Sequence, residues 1–448
     1  MNWERLREKV LDDIYPDEEE LEEARELYWK ISNFIAEEYG LETHFAGSTS
    51  RETCMKGDKD IDIFVLFPED TERQELEDRG LELGKKVFRE FDGEFEVDYA
   101  EHPYTKGEID GHEVEIVPCF DVDAENIQSA VDRTPHHSRW IQENLSDEER
   151  KDVVILKKFL KEQGLYGSSL KVRGFSGYLC EILVSEFGSF TELVESAKNW
   201  EEEKVVDPEN HHESLPENLR DKFSDDLLVV VDPVDPERNV ASVLSTENYA
   251  KFVYSCWQFS KSPGLSYFRE EEAEWTEFEL KQEVQGRGDF IAVKFERPDE
   301  VDDLVYPQMR KFMRLLSKKL EKRDFRIFEQ GFHATEEKVR FFFEVQMELP
   351  KVEELKGPKV FHNAKHLEQF TSKYDNTFVR GDRLYAKTER EFTNAKEFIQ
   401  DFLEDDVQGL KSKGVPNHIA DRIVDYSFFD VLEGEEEWLN YLAEELNL

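Results

Sequence analysis

From Asp60 to Val65 the chain reads Asp-Ile-Asp-Ile-Phe-Val, a period that suits an extended strand, where successive side chains point to opposite faces. Asp60 and Asp62 then share one side while Ile61, Ile63 and Val65 take the other. An apolar face that must be buried fixes the strand in a sheet and keeps the two carboxylates together. Like charges held that close repel, and the usual reason to build such a pair is a hard divalent cation that needs oxygen ligands, magnesium foremost.

Upstream, Thr43-His44-Phe45-Ala46 reads as a strand that breaks at Gly47-Ser48 and enters a helical turn around Ser50 to Thr53. Unpaired backbone N–H groups and a hydroxyl at such a turn accept phosphate. Each half alone is weak: Gly-Ser is usually a turn, and an Asp-x-Asp strand is more often a solvated edge. A phosphate cradle and a carboxylate pair on neighbouring strands are together what metal-assisted phosphoryl or nucleotidyl transfer requires. Farther along, Tyr104 to Ile109 and His112 to Val117 flank Asp110-Gly111, a dipeptide suited to a type I′ hairpin turn. In the second of these strands Glu113 and Glu115 face one way and Val114 and Ile116 the other, so either glutamate could supply a third carboxylate.

At 448 residues the chain is too long for one core, and its pattern changes along its length. Residues 1 to about 143 open with an acidic helical stretch and continue into the strands above, forming a catalytic head. A central domain over 144–264 starts at the N-cap-like Ser146-Asp147-Glu148-Glu149, runs helical through Lys161, and resumes at Gly177 to Phe187. Glu201 to Asp226 reads as a loop-rich insertion before an apolar strand, Leu227 to Val231. Residues 265–448 form an α+β body, with strands expected over Trp275 to Val284, Asp289 to Phe295 and Arg340 to Leu349, and a tail subdomain at about 356–390. By periodicity alone Lys157, Lys158 and Lys161 lie on a solvated helical face, and Tyr166 and Tyr178 are core or rim aromatics. There is no internal repeat.

Gly47-Ser48, Asp60-x-Asp62, Glu115-Ile-Val-Pro118-Cys119 and Asp132-Arg-Thr-Pro-His-His137 resemble the archaeal-type class I CCA-adding enzymes. So do Lys157-Lys-Phe-Leu-Lys161, Gly164-Leu-Tyr166-Gly, Gly174-Phe-Ser-Gly-Tyr178-Leu-Cys-Glu181 and Asp232-Pro-Val-Asp-Pro-Glu-Arg238-Asn-Val240, in family order. The strong motifs end near residue 265. The resemblance implies an α+β, multidomain chain with a polymerase-β-like nucleotidyltransferase head, adding CMP, CMP and AMP to the 3′ end of tRNA from CTP and ATP. By matching motif, Asp60, Asp62 and Glu115 are the catalytic carboxylates and hold Mg2+. Ser48 and Arg51 contact the nucleotide's phosphates, and Thr134, His137, Lys157, Tyr166 and Arg238 line the nucleotide pocket. The family commonly has Asp where Glu115 stands. Alternatives are a poly(A) polymerase, an oligoadenylate synthase or a non-catalytic RNA-binding scaffold; a homodimer is an open possibility.

Charge bears on the partner. The chain has 104 acidic against 58 basic side chains, a net charge of −46, yet 38% apolar residues suffice for packed cores. Nucleic-acid affinity rests on cationic contacts, so this acidity points to a salt-rich cytoplasm, where the screening length falls to about 3 Å at 1 M; the alternative is that acidity only aids solubility and local basic patches dominate binding. Against that background Arg310, Lys311, Arg314, Lys318, Lys319, Lys322, Arg323 and Arg326, set against Glu321 and Asp324, give residues 310–326 a net charge of +6, on a helix whose apolar stripe is Phe312, Met313, Leu315, Leu316 and Leu320. This face is the expected contact to the RNA backbone. Cys54, Cys119, Cys180 and Cys256 have no metal-type or disulfide-type spacing, which fits a reducing cytoplasm, and neither a secretory leader nor a membrane span is expected.

Overall fold

The computed structural model describes residues 3–99, 101–212, 214–269, 275–361 and 364–448. It forms two compact units, Met1–Glu271 and Glu272–Leu448.

In the first unit, helices α1 (Trp3–Ile14) and α2 (Glu18–Tyr39) lead into β1 (Glu42–Ala46), the single turn α3 (Gly47–Ser50) and β2 (Asp60–Pro68). Helix α4 (Arg73–Glu90) then precedes β3 (Glu94–Tyr99), β4 (Pro103–Ile109) and β5 (His112–Asp121). The strands form one sheet in the order β1-β2-β5-β4-β3, with β2 and β5 parallel and the other pairs antiparallel. Asp110 at φ 50° and Gly111 at φ 76° make the β4–β5 turn, the left-handed pair that a type I′ turn needs. Ile61, Ile63 and Val65 pack with Leu27 and Ile31 of α2 and Leu83 and Val87 of α4. Two helices therefore cover the apolar face and leave Asp60 and Asp62 on the other.

The helical part contains α5 (Arg133–Asn144), α6 (Asp147–Glu162), α7 (Gly177–Phe187), α8 (Phe190–Ala197), α9 (Glu217–Lys222) and α10 (Thr246–Lys261), with the short parallel strands β6 (Lys204–Val206) and β7 (Leu228–Val230). Ser146 caps α6 in a box with Glu149, and Ser176 caps α7. Their core is aromatic: Phe159, Phe190, Phe252, Phe259 and Phe268 are all buried in one cluster. Leu6, Val10 and Ile14 of α1 join this cluster rather than the sheet's core, so the first helix, which the sequence pattern assigned to the head, packs with the central helices.

The second unit opens with α11 (Glu277–Glu283). A strand was expected there, but Thr276 and Glu279 close a capping box and the residues that follow, Leu280 to Glu283, are good helix formers. Strands β8 (Asp289–Glu296), β9 (Ile327–Ala334) and β10 (Lys338–Val345) pack on α12 (Asp302–Glu321). A second, three-stranded sheet in the order β11-β13-β12 comprises β11 (Val352–Lys359), β12 (Thr377–Arg380) and β13 (Arg383–Glu389), with α13 (Ala364–Lys373) against β11. Helices α14 (Ala395–Leu403), α15 (Val407–Ser412) and α16 (Asn417–Ile423) return to the α12 core, whereas β14 (Ser427–Phe429) extends the first sheet beside β8 and α17 (Glu436–Glu445) ends the chain.

Candidate active site

Parallel pairing sets Asp62 opposite Glu115 and Asp60 opposite Glu113, so four carboxylates share one sheet face. The inner pair is half-buried and the outer pair exposed. Burial, with repulsion from Asp60 added and Arg51 opposing, pushes Asp62 up to about 6. Burial and then the charge of Asp62 push Glu115 up to about 7. Asp60 is also raised, by burial, Asp58 and Glu113. Carboxylates that hinder one another's ionisation are oxygen donors short of a counter-charge. Gly47, at φ 74°, lies so close that a Cβ there would stand 1.8 Å from Asp62 Oδ2. No larger residue fits.

Among the described residues no three Asp, Glu, His or Cys side chains are gathered as ligands of one ion. The donors instead line an open edge, which fits a hard cation held by one or two carboxylates and completed by phosphate oxygens and water. Helix α3 starts at Gly47, three residues before the expected turn, and its N-cap Ala46 supplies no side-chain cap, leaving the first amides beside Asp62 without one. Ser48 is half-buried here, and its carbonyl accepts the amides of Arg51 and Thr53 at 3.3 and 3.0 Å.

Arg51 and Lys157 meet in a buried network. Arg51 Nε donates to Glu181 Oε1 at 2.9 Å and its Nη1 to Ser138 Oγ at 3.0 Å. Thr53 Oγ1 donates to the same Glu181 oxygen at 2.5 Å, and Lys157 Nζ to the Thr53 carbonyl at 2.7 Å. Lys157 is only 2% exposed, so the solvated-face expectation does not hold for it: α7 covers this side of α6, and Glu181 supplies the counter-charge. Burial lowers the Lys157 ammonium, with Glu181 opposing. Burial also works against ionised Glu181, but Arg51 and Lys157 outweigh it and hold the carboxyl below its ordinary value. Tyr166 joins the group, since a methyl on Gly177 would meet its hydroxyl at 3.3 Å and Lys157 Nζ at 3.5 Å.

A second cluster collects His137, Tyr178 and Arg238 on Asp232. His137 Nε2 lies 3.0 Å from Asp232 Oδ2, Arg238 Nη1 donates to the same oxygen at 2.7 Å, and the Tyr178 hydroxyl donates to Oδ1 at 3.2 Å. The His137 and Tyr178 rings stack at 4.1 Å. Thr134 is half-buried in the first turn of α5, one helical turn before His137 and Ser138. Sequence reasoning singled out the cations and rings but gave no role to Thr53, Ser138, Glu181 or Asp232. The available signals were a lone carboxylate inside the apolar run Leu179-Cys-Glu-Ile-Leu-Val and an Asp closing a Pro-rich turn on Arg238.

On α12, Lys311, Arg314 and Lys318 are exposed, as are Lys322 and Arg326 just beyond it, while Arg310, Lys319 and Arg323 are half-buried. Arg323 sits 4.2 Å over the Phe398 ring and pairs with Glu391 at 3.6 Å, Arg310 lies over Tyr306, and Arg326 lies over Phe328. The cysteines are buried and unbridged. Among the described residues no helix is long and apolar enough to cross a membrane.

Residues 28–137, which carry this sheet, match the family model of the nucleotidyltransferase domain. Residues 151–269 match the second domain of tRNA nucleotidyltransferase and 287–434 the C-terminal domain of CCA-adding enzyme. The CCA-adding enzyme of Archaeoglobus fulgidus is 37% identical, aligned over 100% of this chain and 98% of its own length. That of Methanocaldococcus jannaschii is 37% identical over 94% of each, and that of Haloarcula marismortui 39% identical over 79% of this chain and 78% of its own. Among solved structures the Cid1 poly(U) polymerase is similar at TM-score 0.48 and 13% identity, covering 59% of this chain and 98% of that one. The chain belongs to the CCA-adding enzyme family of tRNA nucleotidyltransferases, a family of metal-dependent transferases.

Proposed function

We propose that this nucleotidyltransferase adds C, C and A to tRNA 3′ ends from CTP and ATP, with Asp60, Asp62 and Glu115 as the catalytic carboxylates. The observation that carries the assignment is the parallel register placing Asp62 beside Glu115 next to an uncapped helical turn at Gly47. The register and the raised carboxyl of Glu115 favour it over Glu113 as the third carboxylate. These three side chains suit Mg2+, which when bound supplies the charge that activates the tRNA 3′-hydroxyl and balances the departing pyrophosphate.

In this reading the 3′-hydroxyl releases its proton to solvent water as its oxygen attacks the α-phosphorus, the bond from that phosphorus to the α–β bridging oxygen breaks, and pyrophosphate leaves. Ser48 and the α3 amides orient the triphosphate, and Arg51 adds positive charge beside Asp62. Lys157, Tyr166, Thr134, His137 and Arg238 form the wall against ribose and base. The exposed cations of α12 contact the tRNA backbone. Residues 1–143, 144–264 and 265–448 act as head, pocket domain and tRNA-binding body, with a tail at about 356–390. The unbridged cysteines suit a reducing cytoplasm.

The test is incubation with tRNA lacking its CCA end and each labelled NTP. Two CMP and one AMP should be incorporated, and a homopolymer tail would overturn the reading. Asp60→Ala and Asp62→Ala should each abolish incorporation and leave tRNA binding nearly intact. Glu115→Ala should do the same, but Glu113→Ala should not.

A further inference from the structure

The loop after β7 is built around a carboxylate to which no step above gives a role. Asp232 is 0% exposed, yet four donors converge on it. His137 and Arg238 share Oδ2, whereas the Tyr178 hydroxyl and the Val234 amide, at 3.0 Å, share Oδ1. Burial works against the ionised form of Asp232. His137, the Val234 amide and Arg238 outweigh that cost and pull the carboxyl down to about 2.

The consequence for each donor differs. His137 is held twice, by its nitrogen on Asp232 and by its stack on Tyr178. Arg238 has one nitrogen anchored while its side chain remains 39% exposed, so the guanidinium is fixed without being used up. The loop itself is fastened from the insertion. His211 and His212 Nε2 donate to the carbonyls of Pro233 and Pro236, each at 3.1 Å, and Lys222 Nζ to that of Glu237 at 2.9 Å. Asp207 in turn accepts the amides of both histidines. A donor already fixed loses little further rotamer freedom on binding, and fixed polar groups reject ligands that leave them unpaired.

We propose that Asp232 is a positioning residue for nucleotide choice: it locks His137, Tyr178 and Arg238 into one rigid set of donors that selects the base of the incoming nucleoside triphosphate, without itself touching substrate. This rests on the reading that His137 and Arg238 line the nucleotide pocket.

Steady-state kinetics on tRNA lacking CCA and on tRNA lacking only the terminal A, with each of the four NTPs, test it for wild type, Asp232→Asn, Arg238→Lys and the double variant. Asn keeps the size but turns one acceptor into an N–H group facing donors. KM for CTP and ATP should rise roughly 10- to 100-fold and the preference over UTP and GTP fall by a similar factor, with kcat at saturating nucleotide within about three-fold. The double variant should lose at most about two-fold more than the worse single one, because both act through one contact. Multiplying losses, unchanged base preference or a defect confined to kcat would each overturn the proposal. Should melting show Asp232→Asn unfolded, Arg238→Lys decides alone. It keeps a charge on Asp232 but not the fork, so wild-type discrimination in it overturns the proposal and lost discrimination supports it. Wild-type extension by CTP and ATP is the control: its absence overturns the functional reading as well, whereas extension with indifferent variants overturns this inference only.

Discussion

Ionising Asp62 at neutral pH sets a charge against Asp60 and Glu115 on a half-buried sheet face, and the strand register leaves no room to separate them. A carboxyl raised on folding contributes stability at pH values below its unfolded value, near 4, and loses that contribution as pH rises through its folded value. For Asp62 and Glu115 the loss falls between about pH 4 and 7. In buffer with EDTA, Asp62→Asn should therefore melt above wild type at pH 8, the gap closing near pH 4, while nucleotide addition is lost. Melts of both proteins across this range check it, and a variant less stable than wild type at pH 8 would count against the strained pair. That Asp60 and Asp62 share one face, and that Glu113 and Glu115 share one, was legible because alternation in a strand assigns faces directly. Lys157 was not: its helical position is local, but its burial is decided by Glu181 and Thr53, both more than twenty residues away in sequence.

Helix α12 was legible as an element, its buried stripe of Phe312, Met313, Leu316 and Leu320 following helical spacing. Which of the cations remain available was not. Arg323 is committed to Phe392, Phe398 and Glu391, so replacing it tests packing as well as RNA contact. Changing the exposed Lys311, Arg314, Lys318 and Lys322 together to Gln isolates the charge. It should weaken tRNA binding across tRNA species and reduce the slope of log affinity against log salt by roughly three, since each phosphate contact releases a counterion. Folding should be unaffected. Filter binding at several KCl concentrations measures this, and an unchanged slope would remove α12 from the RNA interface. The misread of α11 has a different cause. Its short run of mixed polar and apolar residues carries no strong period, and the cap formed by Thr276 and Glu279 decides the matter.

For the molecule as a whole, a net charge of −46 means that self-repulsion opposes both compactness and tRNA binding. Screening relieves it, so the melting temperature should rise between dilute buffer and molar KCl. A flat or falling melt would defeat the salt-adapted reading. Local pattern determined the β2 strand and its carboxylate face, the hairpin at Asp110-Gly111, the capped α6 and the basic helix, because each is set by residues within a turn or a few strand positions. The tertiary structure alone decided that Glu115 and not Glu113 stands opposite Asp62, that α1 packs with the central helices, that Glu181 joins Arg51 through a shared oxygen to Thr53, and that Asp232 gathers His137, Tyr178 and Arg238. Those are pairings between groups far apart in the chain. Their partners come together only when whole faces are buried, and periodicity carries no record of which face meets which.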